Sequence, residues 1–407
     1  MDSFVFDSYR LDPTRRSISF TYLLNSFSFT EKLDLPEVIP DTIDTTLLEF
    51  LFFNLHLAIG ISYWKLLCPS SITIKSGQLT KEQSTFWNII YTNGLGEFYY
   101  RNKIDFQGRV SFPFVETASS LPTPLSVSSE ELVGIGGGKD SLVTWELFKQ
   151  KGIKAKGLVI ETGKKFETVS NISAIGDIPL MHVVRTMDSQ IPELSKKDGF
   201  YNGHIPISMI YAWIGVLICA VYGFKSFVAS NEKSANEGNT EYLGMQINHQ
   251  WSKSEEFERL FSAYVKRFVS PSLSYYSPLR QLTELQVVKE FINHPQYFPY
   301  VSSCNRNFSV SRPLEGKRWC GECAKCAFAF LLFAAYLPKD TVCTMFGKNM
   351  FADSSLVGLF RDLVGRGGMK PFDCVGTFEE SQAAFAMIKK GREYENDIVM
   401  QTLSGGV

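Results

Sequence analysis

The chain has 407 residues, of which 44% are hydrophobic and 14% aromatic, and its net charge is −1. That length and apolar content belong to a globular chain of two or three domains with a large core. A charge so close to zero gives no support for an extended nucleic-acid surface, so no nucleic-acid partner is expected.

The opening residues, Met1-Asp2-Ser3-Phe4-Val5-Phe6-Asp7, lack the basic and apolar segments of a signal peptide. Ser17-Ile18-Ser19-Phe20-Thr21-Tyr22 and Ser26-Phe27-Ser28-Phe29-Thr30 alternate with period two, which predicts a small antiparallel meander. Residues 45–67 read as one long, largely buried helix ended by Pro69-Ser70-Ser71. Ile72-Thr73-Ile74 suits a strand and 82–92 a further helix. Ser119-Ser120-Leu121-Pro122-Thr123-Pro124 is a Ser/Pro-rich linker between an N-terminal α+β module and the rest of the chain.

From Glu131 the pattern becomes α/β. Strands are predicted at 132–135, 157–160, 182–185 and 226–229, separated by helices or loops, as in a doubly wound parallel sheet. Ligands in such sheets bind beyond the carboxyl ends of the strands. Three polar runs follow strands there: Glu161-Thr162-Gly163, Thr186-Met187-Asp188, and Ser230-Asn231-Glu232-Lys233-Ser234-Ala235-Asn236. Residues 205–224 carry no formal charge and are long enough to span a bilayer. Pro206, Gly215, Gly223 and the strand-like run right after them favour a buried helix, so no membrane contact is expected.

Between the first of these strands and its helix lies Gly136-Gly137-Gly138-Lys139-Asp140-Ser141. A glycine loop at a helix start presents bare N–H groups and the positive helix end to an anion. The run is not a Walker A loop, because Asp140 stands where Ser or Thr should follow Gly-Lys. A dinucleotide fingerprint starting at Gly134 fails as well, because it needs glycine at position 139. The run resembles the pyrophosphate loop of the PP-loop ATP pyrophosphatases, Ser-Gly-Gly-x-Asp-Ser, with Gly136 in place of the first Ser. In that family ATP is cleaved between its α and β phosphates. The resemblance implies that Gly136, Gly137, Gly138, Lys139, Asp140 and Ser141, with Glu161 and Thr162, bind ATP. Asp140 would help hold Mg²⁺, a hard ion suited to oxygen ligands, and Lys139 would neutralise charge developing on the phosphates.

Eight cysteines are present, four of them scattered, a usage that suits a reducing, cytoplasmic location. The other four are Cys304 and the run Cys320-Gly321-Glu322-Cys323-Ala324-Lys325-Cys326. Three thiolates within one turn, with Cys304 as a fourth, fit a tetrahedral structural zinc site. An iron–sulfur cluster and four reduced, buried thiols are the alternatives. The apolar run Ala327-Phe328-Ala329-Phe330-Leu331-Leu332-Phe333 would be core. A similar C-terminal cysteine order occurs in 7-cyano-7-deazaguanine synthase, another PP-loop enzyme.

Several segments together resemble a narrower family, the UDP-N-acetyl-α-D-muramoyl-L-alanyl-L-glutamate epimerases. They are residues 136–141, Ser234-Ala235-Asn236, Asn248-His249-Gln250-Trp251-Ser252-Lys253-Ser254, Cys304-Asn305-Arg306-Asn307-Phe308, Arg318-Trp319-Cys320 and Lys370-Pro371-Phe372-Asp373-Cys374-Val375-Gly376. The resemblance implies an ATP- and Mg²⁺-dependent inversion of the terminal L-Glu of a UDP-muramoyl dipeptide, with release of AMP and pyrophosphate, for peptidoglycan synthesis. The expected architecture is α/β, with a doubly wound parallel sheet of PP-loop (HUP-like) type. An N-terminal α+β module (1–118) would bind the UDP-sugar, followed by a linker (119–129), the ATP-binding domain (130–300) and a Cys-rich helical region (301–407). Asn231, Lys233, Ser234, Asn236, Lys253 and Arg306 are candidate substrate ligands. His249 is a candidate proton-transfer group because its ordinary pKa lies near neutrality. Lys253, Asp188, Glu232, Lys370 and Cys374 compete for that role, and Arg306, Arg318 and Lys233 are candidate anion binders. The rival readings are a PP-loop enzyme that adenylates a carboxylate to modify a nucleobase and one that modifies tRNA.

Overall fold

The computed structural model describes residues 2–116, 122–163, 166–306, 314, 316–368 and 370–405. Of the expected features, 119–121 in the linker and Asn307 and Phe308 lie outside these residues.

Period-two alternation builds three strands at the N-terminus: β1 (Ser3–Leu11), β2 (Ser17–Leu24) and β3 (Phe27–Asp34). They form the expected antiparallel meander, and β4 (Ser71–Ile74) lies parallel to β1. The α/β part supplies β5 (Glu131–Gly134), β6 (Ala155–Thr162), β7 (Leu180–Thr186) and β8 (Ser226–Val228). A small hairpin comes next, β9 (Thr240–Tyr242) with β10 (Met245–Ile247), and then β11 (Ser274–Tyr276). Tyr275 and Tyr276 belong to this last strand.

The sheet order is β11-β8-β5-β6-β7-β3-β2-β1-β4. Its five parallel strands, β11 to β7, are the expected doubly wound sheet. The whole sheet is mixed rather than parallel, because β3 pairs antiparallel with β7, matching Leu33 to Arg185. The meander therefore extends the same sheet. A buried ion pair fastens this seam. Arg185 is 1% exposed and Glu31 0%, and they are joined through Arg185 Nε and Glu31 Oε1. Tyr63 donates to Glu31 at 2.7 Å and Arg185 donates to Ser62 at 3.2 Å, so the charges are also hydrogen-bonded.

Alternation along the parallel strands divides the core between two faces. Leu132, Leu158, Ile160 and Phe227 point to one cluster, and Val133, Val159 and Val228 to the other. The first face is covered by the helices Thr45–Trp64 and Ile207–Tyr222, which pack on each other. Both are apolar nearly all round because each has the sheet on one side and a helix on the other. Thr45–Trp64 is long and apolar enough to cross a membrane by length and composition, yet 72% of its apolar window is buried inside the fold. Gly215 lets the second helix approach the sheet, since a Cβ there would stand 2.2 Å from the Phe227 ring. The other face carries the helices Lys139–Gln150, Glu284–Phe291 and Ala324–Ala334. In the last of these, residues 326–334 are buried, as their apolar run predicts.

Removing one partner of a buried pair leaves an uncompensated charge. Arg185→Ala is expected to lower the free energy of unfolding by about 3–5 kcal/mol. The double variant Arg185→Met/Glu31→Leu should recover most of that loss in denaturant titrations.

Candidate active site

The parallel strands set the site's position. From β5 the chain steps through β6 to β7, then returns to β8 on the opposite side of β5. The strand order reverses between β5 and β8, which is where doubly wound sheets bind ligands. Two loops leave the sheet there, 136–138 after β5 and 229–232 after β8, and they carry the first residues of the glycine run and of the last predicted polar run. Gly137 has φ +81°, a left-handed turn that favours glycine. Its carbonyl accepts from Ser302 N at 3.0 Å, which docks the loop against the segment leading to the cysteines. The helix Lys139–Gln150 starts at Gly138 with no side-chain cap, so its first N–H groups remain open to an anion.

Lys139 is buried at this point among three carboxylates. Its Nζ donates to Asp140 Oδ1 at 2.6 Å and to Glu284. Oxygens of Asp140, Glu232 and Glu284 all lie within 4.8 Å of one another. Burial opposes a charge on Lys139, but Asp140 and Glu284 outweigh it and hold the ammonium above its ordinary range. Burial, with the neighbouring carboxylates, raises both Glu232 and Glu284. Arg280 fixes the second loop by donating to Glu232 O at 3.1 Å, Lys253 O at 2.9 Å and Glu258 at 2.6 Å.

A cavity lined by Lys139, Asp140, Glu232, Lys253, Lys325 and Cys374 connects this cluster to a second one. There Lys253 Nζ stands 3.4 Å from Cys374 Sγ. His249 stands between Cys374 and Glu97, with a ring nitrogen within 4.8 Å of Cys374 Sγ on one side and Glu97 meeting its Nδ1 on the other. Burial would raise the Cys374 thiol, but Lys253, Lys325 and His249 bring it down to about 5. Burial pulls His249 down, and its bonds to Cys374 and Glu97 prevail, raising it to about 9. The adjacent His204 is lowered to about 3 by burial and by the charge on His249.

The structure thus brings Gly136–Gly138, Lys139, Asp140, Glu232, Lys253, His249 and Cys374 into one region. Glu161 and Thr162 are the last two residues of β6, and Glu161 accepts from Phe166 N at 3.0 Å. Asn231 is buried, its backbone paired with Ser277 at 2.9 Å. Ser141 Oγ turns back to Gly138 O at 3.0 Å. Other candidates have structural partners instead. Ser234 donates to Glu380 at 2.6 Å, and Asn236 accepts from Glu255 N at 2.7 Å. Lys233 is exposed. Arg306 forms an exposed pair with Glu322 at 3.4 Å, and Lys370 meets Glu237 at 3.6 Å. Asp188 accepts from Thr30 N at 2.8 Å, holding the meander. Arg318 Nε is buried with no hydrogen-bond partner. Glu284 and Glu97 were not found from sequence. Glu284 shows there only as part of a Thr283-x-x-Gln286 capping box, and nothing local marks Glu97.

Cys304, Cys320, Cys323 and Cys326 converge within 4.8 Å of one another. Cys326 Sγ is 3.6 Å from Cys320 Sγ and 3.5 Å from Cys323 Sγ. Tetrahedral Zn–S bonds of about 2.3 Å place sulfurs about 3.8 Å apart, so the set fits a metal ion with little movement.

Comparison with known proteins identifies the family of the chain. The model of the MurL N-terminal domain matches residues 1–278 and that of the MurL C-terminal domain matches residues 300–407. A UDP-N-acetyl-alpha-D-muramoyl-L-alanyl-L-glutamate epimerase from Xanthomonas oryzae pv. oryzae (strain MAFF 311018) is 36% identical over 85% of this chain and 76% of its own. Epimerases of the same name from Salinispora tropica and Micromonospora sp. are 32% and 31% identical over 100% of this chain, covering 89% and 91% of theirs. Among solved structures, the U34-tRNA thiolase NcsA from Methanococcus maripaludis aligns with 42% of this chain and 59% of its own at 14% identity, with a TM-score of 0.28, too loose a likeness to bear on function. The fold and the site define an α/β enzyme with its pocket at the switch point. The chain belongs to the UDP-N-acetyl-alpha-D-muramoyl-L-alanyl-L-glutamate epimerase family and is an epimerase.

A single S₄ site is expected to hold about one metal ion per chain by elemental analysis. A Cys323→Ser/Cys326→Ser variant should lose it, and a fully active, metal-free preparation would contradict the assignment.

Proposed function

We propose that this epimerase inverts the terminal L-Glu of UDP-N-acetylmuramoyl-L-Ala-L-Glu to D-Glu, using ATP and releasing AMP and pyrophosphate, in peptidoglycan precursor synthesis. The observation that carries the ATP requirement is the uncapped helix start behind the glycine loop, opening onto Lys139 and Lys253. Those groups suit the pyrophosphate that leaves when a carboxylate attacks the α phosphate. The names of the relatives support the substrate.

The chemistry needs activation before inversion. An α-proton beside a carboxylate is hard to remove, because the product carries two adjacent negative charges. Joining that carboxylate to AMP removes one of those charges and makes the α-carbon acidic. Loss and return of the proton on opposite faces inverts the centre, and hydrolysis of the adenylate drives the cycle forward.

Three clustered carboxylates form a hard oxygen donor set, so Asp140, Glu232 and Glu284 fit Mg²⁺. When bound, Mg²⁺ would neutralise phosphate charge. Lys139 orders the same carboxylates and faces the phosphates beside them. The four cysteines would hold structural Zn²⁺, pinning the buried helix Ala324–Ala334 to the segment that docks the glycine loop. Residues 1–118 would take the UDP-sugar portion, and what supports this is Glu97, which reaches His249 from that part of the chain.

Incubation with ATP, Mg²⁺ and the dipeptide substrate in deuterated water is expected to yield AMP and an α-deuterated glutamyl residue. Active protein giving neither would overturn the proposal. Asp140→Ala should cut AMP formation by at least about 100-fold with the fold intact, and undiminished AMP would remove Asp140 from the site.

A further inference from the structure

Activation leaves open which group moves the proton. Of the ionisable side chains at the cavity, most are engaged or wrongly charged. Asp140 and Glu284 bind Lys139. Lys253 is held protonated, chiefly by Cys374, and His249 is raised to about 9 against the pull of burial, so neither can accept a proton near neutrality. His204 is kept neutral and lies behind His249, with ring centroids 4.4 Å apart.

Cys374 differs from the other scattered cysteines. Burial pushes up Cys68, to about 12, and Cys219. Cys374 lines the cavity, half-buried, with the Lys253 ammonium 3.4 Å from its sulfur. His249 reaches it from a second segment, held in turn by Glu97. Its own backbone N–H is fixed by Asp373 Oδ1 at 2.9 Å, and Asp373 accepts from Asn305 at 3.0 Å. The charged groups that face it are thus Lys253, Lys325, His249 and Asp373, with Asp140 and Glu232 across the cavity.

We infer that Cys374 is the base that removes the α-proton of the activated glutamyl residue, with Lys253 and His249 holding its thiolate and Glu97 orienting His249. The inference rests on the epimerase reading above. The Cα–H bond breaks, its proton forms an S–H bond on Cys374, and its electron pair enters the enolate of the acyl-adenylate. The enolate takes a water-derived proton on its opposite face, and the proton on sulfur passes to solvent. Lys253 and His249 are positioning residues in this step.

Two readouts separate the inference from the reading beneath it. Substrate-dependent exchange of labelled pyrophosphate into ATP reports activation, and α-deuterium incorporation reports proton removal. In Cys374→Ser, exchange is expected to persist while deuterium incorporation falls by at least about 100-fold. Deuterium incorporation within tenfold of the unmutated enzyme would overturn the role of Cys374. So would loss of exchange in this variant, which would place Cys374 in activation instead. Absence of exchange in the unmutated enzyme would instead overturn the ATP reading. A measurement on the unmutated protein guards against misfolding of the variant. Iodoacetamide modification of Cys374, mapped by mass spectrometry, should have its midpoint near pH 5 and be slowed by the dipeptide substrate. His249→Gln should move that midpoint upward. A midpoint at about 8.5, the ordinary thiol value, would contradict the inference. A substrate-derived mass on Cys374 would mark it as an acyl acceptor and would also contradict it.

Discussion

The site depends on one buried ammonium. Lys139 is the first residue of its helix and stands between Asp140 and Glu284, with Glu232 close by. Without that charge, three carboxylates would face one another in a poorly solvated space, an arrangement that raises pKa values and forces protonation. The order continues outward from Glu284. Its backbone N–H donates to Glu380 at 2.7 Å, and Glu380 also accepts from Ser234 and closes the capping box of the helix Phe378–Gly391. The glycine loop, the loop after β8 and the C-terminal helices are thus connected through buried polar contacts, each satisfied.

Lys253 joins the two halves of the cavity. Its charge is stabilised by Cys374 on one side and by Glu232 and Asp140 on the other. Arg280 fixes the backbone of both Lys253 and Glu232. In the proposed reaction, phosphate chemistry belongs to the Lys139 end and proton transfer to the Cys374 end. One lysine facing both ends suits a substrate whose activated carboxyl carbon and α-carbon are adjacent atoms. The N-terminal part enters through Glu97, while the Arg185–Glu31 seam ties its meander to the parallel sheet.

Local pattern carried much of this. The glycine loop, four parallel strands, the meander and the four converging cysteines follow from short-range signals, because turn chemistry and periodicity act over a few residues. Three features were not legible. The continuity of the meander with the parallel sheet depends on a pairing between β3 and β7, about 150 residues apart in sequence, that neither strand encodes alone. The short strand β11 is hidden in an aromatic run, Ser274–Tyr276. Glu284 and Glu97 acquire their chemistry only from neighbours brought by the fold, Lys139 and His249. The ordinary pKa of histidine makes His249 a natural candidate base, but contact with Glu97 and Cys374 changes its protonation and points to Cys374 instead.

In the proposed reaction the glycine loop serves to activate the glutamyl carboxylate. The most direct test of this follows oxygen. Substrate carrying ¹⁸O in the α-carboxylate of its terminal Glu is turned over with ATP, and the AMP is examined by mass spectrometry. Hydrolysis of the acyl-adenylate by water at its carbonyl carbon breaks the C–O bond and places one labelled oxygen in each AMP. Epimerised product accompanied by unlabelled AMP, or by no AMP, would contradict the account.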